Sequence, residues 1–249
     1  MISICSLIYR SAAFADSTYQ SLMEYTPHLH DGRARFFFVA NDATAGLKQH
    51  LRNKRYPFVC QENKKISDEE LHKIGFAGPE YIRRVYKGYN RAIKESDEEL
   101  ILINSDMQFS PGWLDSLENA YHENRIVTST LVERWQQKFG SRETGPKYFV
   151  EADFGSHPSN FNKSAFYTFS HNIKGQGTRP GRHYACVMMN RSKALEAGLY
   201  PEGNLFSWYG TAYGDQVFFA RLNTIGVEHV ESVGSIVYHF NEGEMEDTV

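Results

Sequence analysis

The chain has 249 residues, a formal net charge of −3 and 41% hydrophobic residues. That length buries a sizeable core, and the near-balanced charge gives no sign of an electrostatic grip on nucleic acid or an anionic membrane. Cys5, Cys60 and Cys186 form neither a disulfide framework nor a zinc signature, and no run approaches the roughly 20 apolar residues of a transmembrane helix. With no basic stretch before the apolar residues of its first ten positions, the chain reads as soluble and cytoplasmic.

In chain order, Ile2 to Tyr9 is a short buried strand, and Phe14, Leu22 and Tyr25 fall at helical spacing after it. A second strand covers Arg35 to Ala40. Asn41-Asp42 then stands where a helix through Leu47 and Leu51 would be capped. Tyr56 to Cys60 is a third strand, and Gln61 to Lys73 reads as polar surface. Pro79 opens the strongest helix, with Tyr81, Val85, Tyr89, Ala92 and Ile93 in one stripe and Arg83, Arg84, Lys87 and Arg91 on other faces. Glu99 to Asn104 is a continuous apolar strand of the kind covered on both sides. Ser110-Pro111 should start the next helix, through Trp113, Leu114 and Leu117.

This alternation predicts an α/β fold whose sheet is mostly parallel. The glycine-rich dinucleotide and P-loop signatures are absent, which weighs against those sites. Ile126 to Val132 is a further strand. From about Gln136 to Arg182 the chain is rich in Gly, Pro, Ser and Asn, and reads as an irregular stretch that is a binding loop, a lid or disordered. His183 to Met189 as a strand, Arg191 to Ala197 and Gly214 to Ile225 as helices, and Val233 to His239 as a last strand complete one domain, followed by a frayed acidic tail.

Three residues with useful chemistry stand just beyond apolar runs. Asp106 follows the Glu99–Asn104 strand, and with Ser110-Pro111 available as a helix cap it is free to ligate a metal. His239 ends the last strand; one carboxylate and one imidazole suit Mn2+ or Mg2+ when phosphate and water supply the other oxygens. Asp215 lies in the first turn of a helix, where it either complements the helix dipole or serves as a general base. At the second strand's end, one of Asn41 and Asp42 caps a helix and the other is left to accept a nucleobase N–H. Tyr9 is placed to stack on such a base, and Arg10, or Arg83 and Arg84, to meet phosphates.

Taken in order, these segments resemble the inverting family 2 glycosyltransferases of the GT-A fold over nearly the whole chain. Ile2 to Ser11 looks like the opening strand and nucleoside loop, Val39 to Thr44 the base-reading segment, and Tyr86 to Ile93, with Asn90, the helix before the metal motif. Asn104-Ser105-Asp106 resembles the Asp-x-Asp motif. Ala197 to Glu202, Tyr209 to Asp215 and Phe218 to Leu222 resemble the region before the acceptor helix, and His239 the late metal histidine. The resemblance implies one GT-A domain over residues 1–249, with a nucleotide-binding half (1–125) and an acceptor half (126–249). It implies a nucleoside diphosphate sugar donor, UDP by lean, and inverting transfer of a hexosyl-type group to an acceptor hydroxyl. Asp215 would be the base, Asp106 and His239 the metal ligands, and Tyr9, Arg10, Asn41, Asp42, Arg84, Asn104 and Ser105 the nucleotide contacts.

The chain departs from the family at Leu7, where proline is usual, at Asn41 and Asn104, which replace aspartates, and at Gly214, which replaces a glutamate. Loss of charge at Asn104 implies a cation bound weakly alone and tightly with the diphosphate. Three rivals stand beside this reading. One is a sugar nucleotidyltransferase, which releases pyrophosphate. Another is a nucleotide-sugar- or carbohydrate-binding protein without turnover, and the last is a metal-dependent hydrolase indifferent to acceptor.

Overall fold

The computed structural model describes residues 1–64, 79–134, 149–202 and 214–240. Strand β1 (Ile2–Ile8) shows the pattern that organises the rest: Ile2, Ile4 and Ile8 enter one core, while Cys5 and Leu7 face another. In β2 (Ala34–Asn41), Phe36 and Phe38 join the first core and Phe37 and Val39 the second. Such two-sided burial explains the near-continuous apolar runs, since neither face of these strands meets water.

Helices α1 (Ala12–Tyr25) and α2 (Ala45–Lys54) cover the first face, through Ala15 and Leu22 and through Leu47 and Leu51. The other face is covered by α3 (Pro79–Glu95), which contributes Tyr86, Ala92 and Ile93. The remaining strands are β3 (Phe58–Gln61), β4 (Glu99–Ile103), β5 (Met107–Phe109), β6 (Arg125–Glu133), β7 (Val150–Glu151), β8 (Thr178–Pro180), β9 (Val187–Asn190) and β10 (Glu228–His239). Helix α4 (Trp113–Ala120) lies on the first face; α6 (Arg191–Glu196) and α7 (Gly214–Thr224) lie on the second, and α5 (Lys163–Ile173) packs apart from both.

The ten described strands form one mixed sheet in the order β3-β2-β1-β4-β9-β6-β10-β5, with β7 on β6 and β8 on β10. β1, β2, β3 and β4 are parallel, β9 runs antiparallel to both β4 and β6, and β10 is parallel to β6. Two reversals across β9 restore the direction, so β4, β6 and β10 end on the same edge as β1 and β2. That edge carries the site.

Three expectations about element boundaries are corrected. Neither Asn41 nor Asp42 caps α2: Asp42 turns the chain at φ 53°, and Thr44 accepts from Leu47 N instead. Ser110 does not cap α4 with its side chain; the helix begins two residues past Pro111, after Gly112 in a left-handed conformation (φ 72°). His183 to Met189 is not one strand, because Cys186 breaks it at φ 46° and β9 starts only at Val187.

The stretch expected to be irregular is, in its described part (149–182), largely packed. Asn162 caps α5, and Phe154, Phe161, Phe166 and Phe169 close around Tyr238 and Phe240 of the β10 end. Four aromatics supply a core despite the turn-forming residues around them. Residues 135–148, with Trp135, and 203–213, with Trp208 and Tyr209, lie outside the described residues, as do most of the polar segment 61–73 and the acidic tail.

One charge is buried at the opposite end of β10. Glu231 is fully buried, accepts from Arg182 Nε at 2.8 Å and Thr130 Oγ1 at 3.0 Å, and pairs with Arg179. Burial alone would raise its pKa, but the two arginines hold it below the usual carboxylate range. Nearby, burial and the adjacent His183 push His229 down to about 4. Both groups bind fewer protons folded than unfolded, so stability falls as pH drops, from about 6.5 for His229 and further as pH nears the lowered Glu231 value. Thermal unfolding between pH 7 and 4 should show this fall. Glu231→Gln should cost about 2 kcal/mol at pH 7 by denaturant titration, below the usual loss for a buried pair because the arginines can reach water.

Candidate active site

Asp106 follows β4 in the turn into β5. Its backbone is fixed from two directions: Phe240 N donates to the Asp106 carbonyl at 3.0 Å, and Thr18 Oγ1 of α1 donates to the Ser105 carbonyl and, at 3.3 Å, to that of Met107. Thr18 is fully buried, so its hydroxyl answers carbonyls that water cannot reach. The result is a short rigid turn with its carboxylate at the sheet edge.

His239 ends β10 beside it. Its Nε2 lies 3.0 Å from Asp106 Oδ1 and 3.3 Å from Asn104 Nδ2, and its Nδ1 lies 2.6 Å from Glu133 Oε1. Burial would lower the pKa of this imidazole, but Asp106 and Glu133 outweigh it and raise the value to about 10. Two ligand atoms bound at about 2.1 Å and at right angles around one ion lie about 3 Å apart, so the Asp106–His239 pair fits a divalent cation. Asn104 faces α3, where its Oδ1 accepts from Tyr89 OH at 2.6 Å. Sequence reasoning missed Glu133. β6 runs one residue past the predicted Val132, and that residue is in register with His239; the available signal was a carboxylate directly after the predicted strand.

Asp215 opens α7 behind a wall of tyrosines. Tyr200 stacks on Tyr86 with ring centroids 5.4 Å apart, and Tyr89 lies against the same Tyr200 ring. Asp215 N donates to Tyr86 OH at 3.1 Å, and its Oδ1 accepts from Gln216 N at 2.8 Å. Burial raises the Asp215 pKa, offset in part by backbone hydrogen bonds. Gly214 has a steric reason: a Cβ there would stand 2.2 Å from the Tyr86 ring, so this chain has no room for the glutamate the family places there. Asn90 clamps the approach to α7, accepting from Tyr200 N and donating to the Tyr200 carbonyl and to Glu202.

At the end of β2, Asp42 Oδ2 accepts from Arg84 Nη1 and from Asn63 Nδ2, each at 2.8 Å, and Oδ1 from Asn63 N at 2.7 Å. Arg84 also donates from Nε to Glu80 and from Nη2 to the Lys64 carbonyl. All three of its nitrogens are engaged by protein, so Arg84 holds the Asp42 loop. Asn41 donates to the Arg84 carbonyl at 3.1 Å. Tyr9 and Arg10 follow β1 on the same edge, with the guanidinium 4.6 Å from the Tyr9 ring centroid and Nη2 donating to Tyr9 OH. Ser105 is buried within the Asp106 turn.

Among the described residues, His28, Asp115 and Glu118 form the one group of three ligating side chains near enough to share an ion. The group belongs to the turn Pro27–Leu29 and α4 and shares no residue with the site above. Its 2.7 Å contact between His28 Nε2 and Glu118 Oε2 ties that turn to the helix. No helix of the described residues is long and apolar enough to cross a membrane.

Neither a family model nor a curated protein sequence matches the chain. Solved structures do. GalNAc-T7 with UDP, GalNAc and Mn2+ superposes with a TM-score of 0.60 at 13% identity, covering 96% of this chain and 43% of that one. S. aureus TarS 1–349 gives 0.55 at 13% identity, covering 96% and 60%. The chain therefore has the GT-A fold of the nucleotide-sugar transferases, as its sequence resemblance implied, and spans about half the length of the proteins it matches.

Thr18→Val keeps the shape of the side chain but leaves the Ser105 carbonyl without its donor, and should cost about 1–3 kcal/mol by chemical denaturation. Gly214→Glu, which installs the residue of the family the sequence resembles, should lower the melting temperature because Tyr86 occupies the space. An unchanged melting temperature would contradict that steric account.

Proposed function

We propose that this protein is a metal-dependent inverting glycosyltransferase acting on a nucleoside diphosphate sugar. The observation that carries the reading is the carboxylate–imidazole pair of Asp106 and His239, 3.0 Å apart on the edge where β1, β2, β4 and β10 end. Ligands of open α/β sheets bind outside the carboxyl ends of the strands. The shared fold of GalNAc-T7, whose structure holds UDP and Mn2+, supports a nucleotide and a divalent cation as the ligands.

The nucleoside would enter beside Tyr9 and Asn41, with Asp42 accepting a base N–H while Arg84 and Asn63 hold its carboxylate in place. Arg10 would meet the diphosphate, and Asn104 and Ser105 would border it. Asp106 and His239 would hold the cation (Mn2+ or Mg2+), which when bound supplies Lewis-acid stabilisation of the departing diphosphate. Asp215 takes the proton of the acceptor hydroxyl as its oxygen bonds to the anomeric carbon. The bond from that carbon to the diphosphate oxygen breaks, and the nucleoside diphosphate leaves with the electron pair. A single displacement inverts the configuration. Burial of Asp215 suits this role, because a base with a raised pKa accepts the proton more readily.

Product analysis with candidate UDP-sugars and acceptors tests the proposal. Acceptor-dependent release of nucleoside diphosphate is expected, abolished by chelator. Release of pyrophosphate would favour nucleotidyl transfer, acceptor-independent sugar release would favour hydrolysis, and binding without turnover would leave a carbohydrate-binding protein. Asp215→Asn should lower kcat by roughly 10²–10⁴-fold. In the wild type, activity should rise with pH through the raised Asp215 pKa, since the base acts only when ionised, and the variant should lose that acid limb.

A further inference from the structure

Glu133 is fixed through both its backbone and its side chain. It is the last residue of β6, in register with His239, the last residue of β10, and its own carbonyl is held by Ala152 N at 3.0 Å next to β7. Its side chain is 11% exposed and that of His239 13%. Parallel neighbours in register put both side chains on one face, and Glu133 Oε1 meets Nδ1 at 2.6 Å, a short, charge-assisted contact.

The opposite ring edge is the one that matters to the proposed chemistry. Nε2 faces Asp106 Oδ1 at 3.0 Å and Asn104 Nδ2 at 3.3 Å. A carboxylate on Nδ1 keeps a proton there, so that a cation would take the place of the proton on Nε2; it also fixes the ring plane and makes Nε2 the stronger ligand. This has particular weight here, because Asn104 contributes no charge and the described pair supplies one carboxylate and one imidazole.

We propose that Glu133 is a positioning residue that orients His239 and strengthens it as a ligand, offsetting the charge absent at Asn104. The inference rests on the functional reading above and adds to it a residue that reading does not include. Glu133 acts through His239 and does not touch the ion.

A double-mutant cycle on the full chain tests this, with the Mn2+ dissociation constant read by electron paramagnetic resonance in the presence of UDP and folding followed by thermal unfolding. Glu133→Gln should weaken Mn2+ binding about 10–100-fold. In a His239→Ala background the same change should have no further effect, since the route through His239 is already gone. Glu133→Asp, which keeps the charge but shortens the reach, should fall between, and serves if the glutamine variant does not fold. Wild-type binding that is lost in His239→Ala but unchanged in Glu133→Gln would overturn the inference and leave the functional reading intact. Equal losses in both backgrounds would overturn it in favour of direct ligation. No Mn2+ binding by the wild type with UDP would remove the functional reading, and this inference with it.

Discussion

The imidazole of His239 is held on both edges, by Asp106 on Nε2 and Glu133 on Nδ1, and that double contact depends on the register of much of the sheet. β4, β6 and β10 must end level, although β9 runs against both β4 and β6. The shift in pairing between Ser232 and Ile236 sets where β10 ends relative to β6, and Phe240 N then ties that end to the Asp106 turn. A slip of one residue would turn His239 to the other face of the sheet. Thr18, the β10 bulge and the aromatic cluster around Tyr238 and Phe240 all bear on this one geometry.

Sequence spoke clearly where burial is two-sided. The apolar runs of β1, β2 and β4 leave few alternatives, and Asp106 and His239 stand out because a charge ends each run. It spoke poorly where local signals conflict with distant ones. Gly, Pro and Ser around Phe154 to Phe169 mark turns, yet the phenylalanines find their core in Tyr238, some 70 residues away. Glu133, beside Arg134, looks like ordinary surface charge until the register with His239 is known. Helix starts were misplaced for a local reason: Thr44 and Gly112 take the cap positions because of backbone turns at Asp42 and Gly112 that no periodicity reports.

Two apparent departures from the family pattern have physical counterparts in this chain. Tyr86 fills the space beside Gly214 and accepts from Asp215 N, so the carboxylate keeps a fixed backbone without its usual acidic neighbour. Asn104 trades charge for a hydrogen bond from Tyr89, which joins the Asp106–His239 pair to the tyrosine wall next to Asp215. Each substitution belongs with an aromatic on α3, so helix and motifs are best read as one unit.

The central claim is that this edge binds a nucleoside diphosphate together with a divalent cation. The most direct measurement is the melting temperature of the protein against UDP, GDP, ADP, CDP and dTDP, each with and without Mn2+. Ligand binding to the native state raises stability by mass action. A rise for one nucleotide that requires Mn2+, and that is lost in Asp106→Ala, is the predicted result. No rise with any of the five, with or without the cation, would contradict the account and leave the GT-A fold without its donor site.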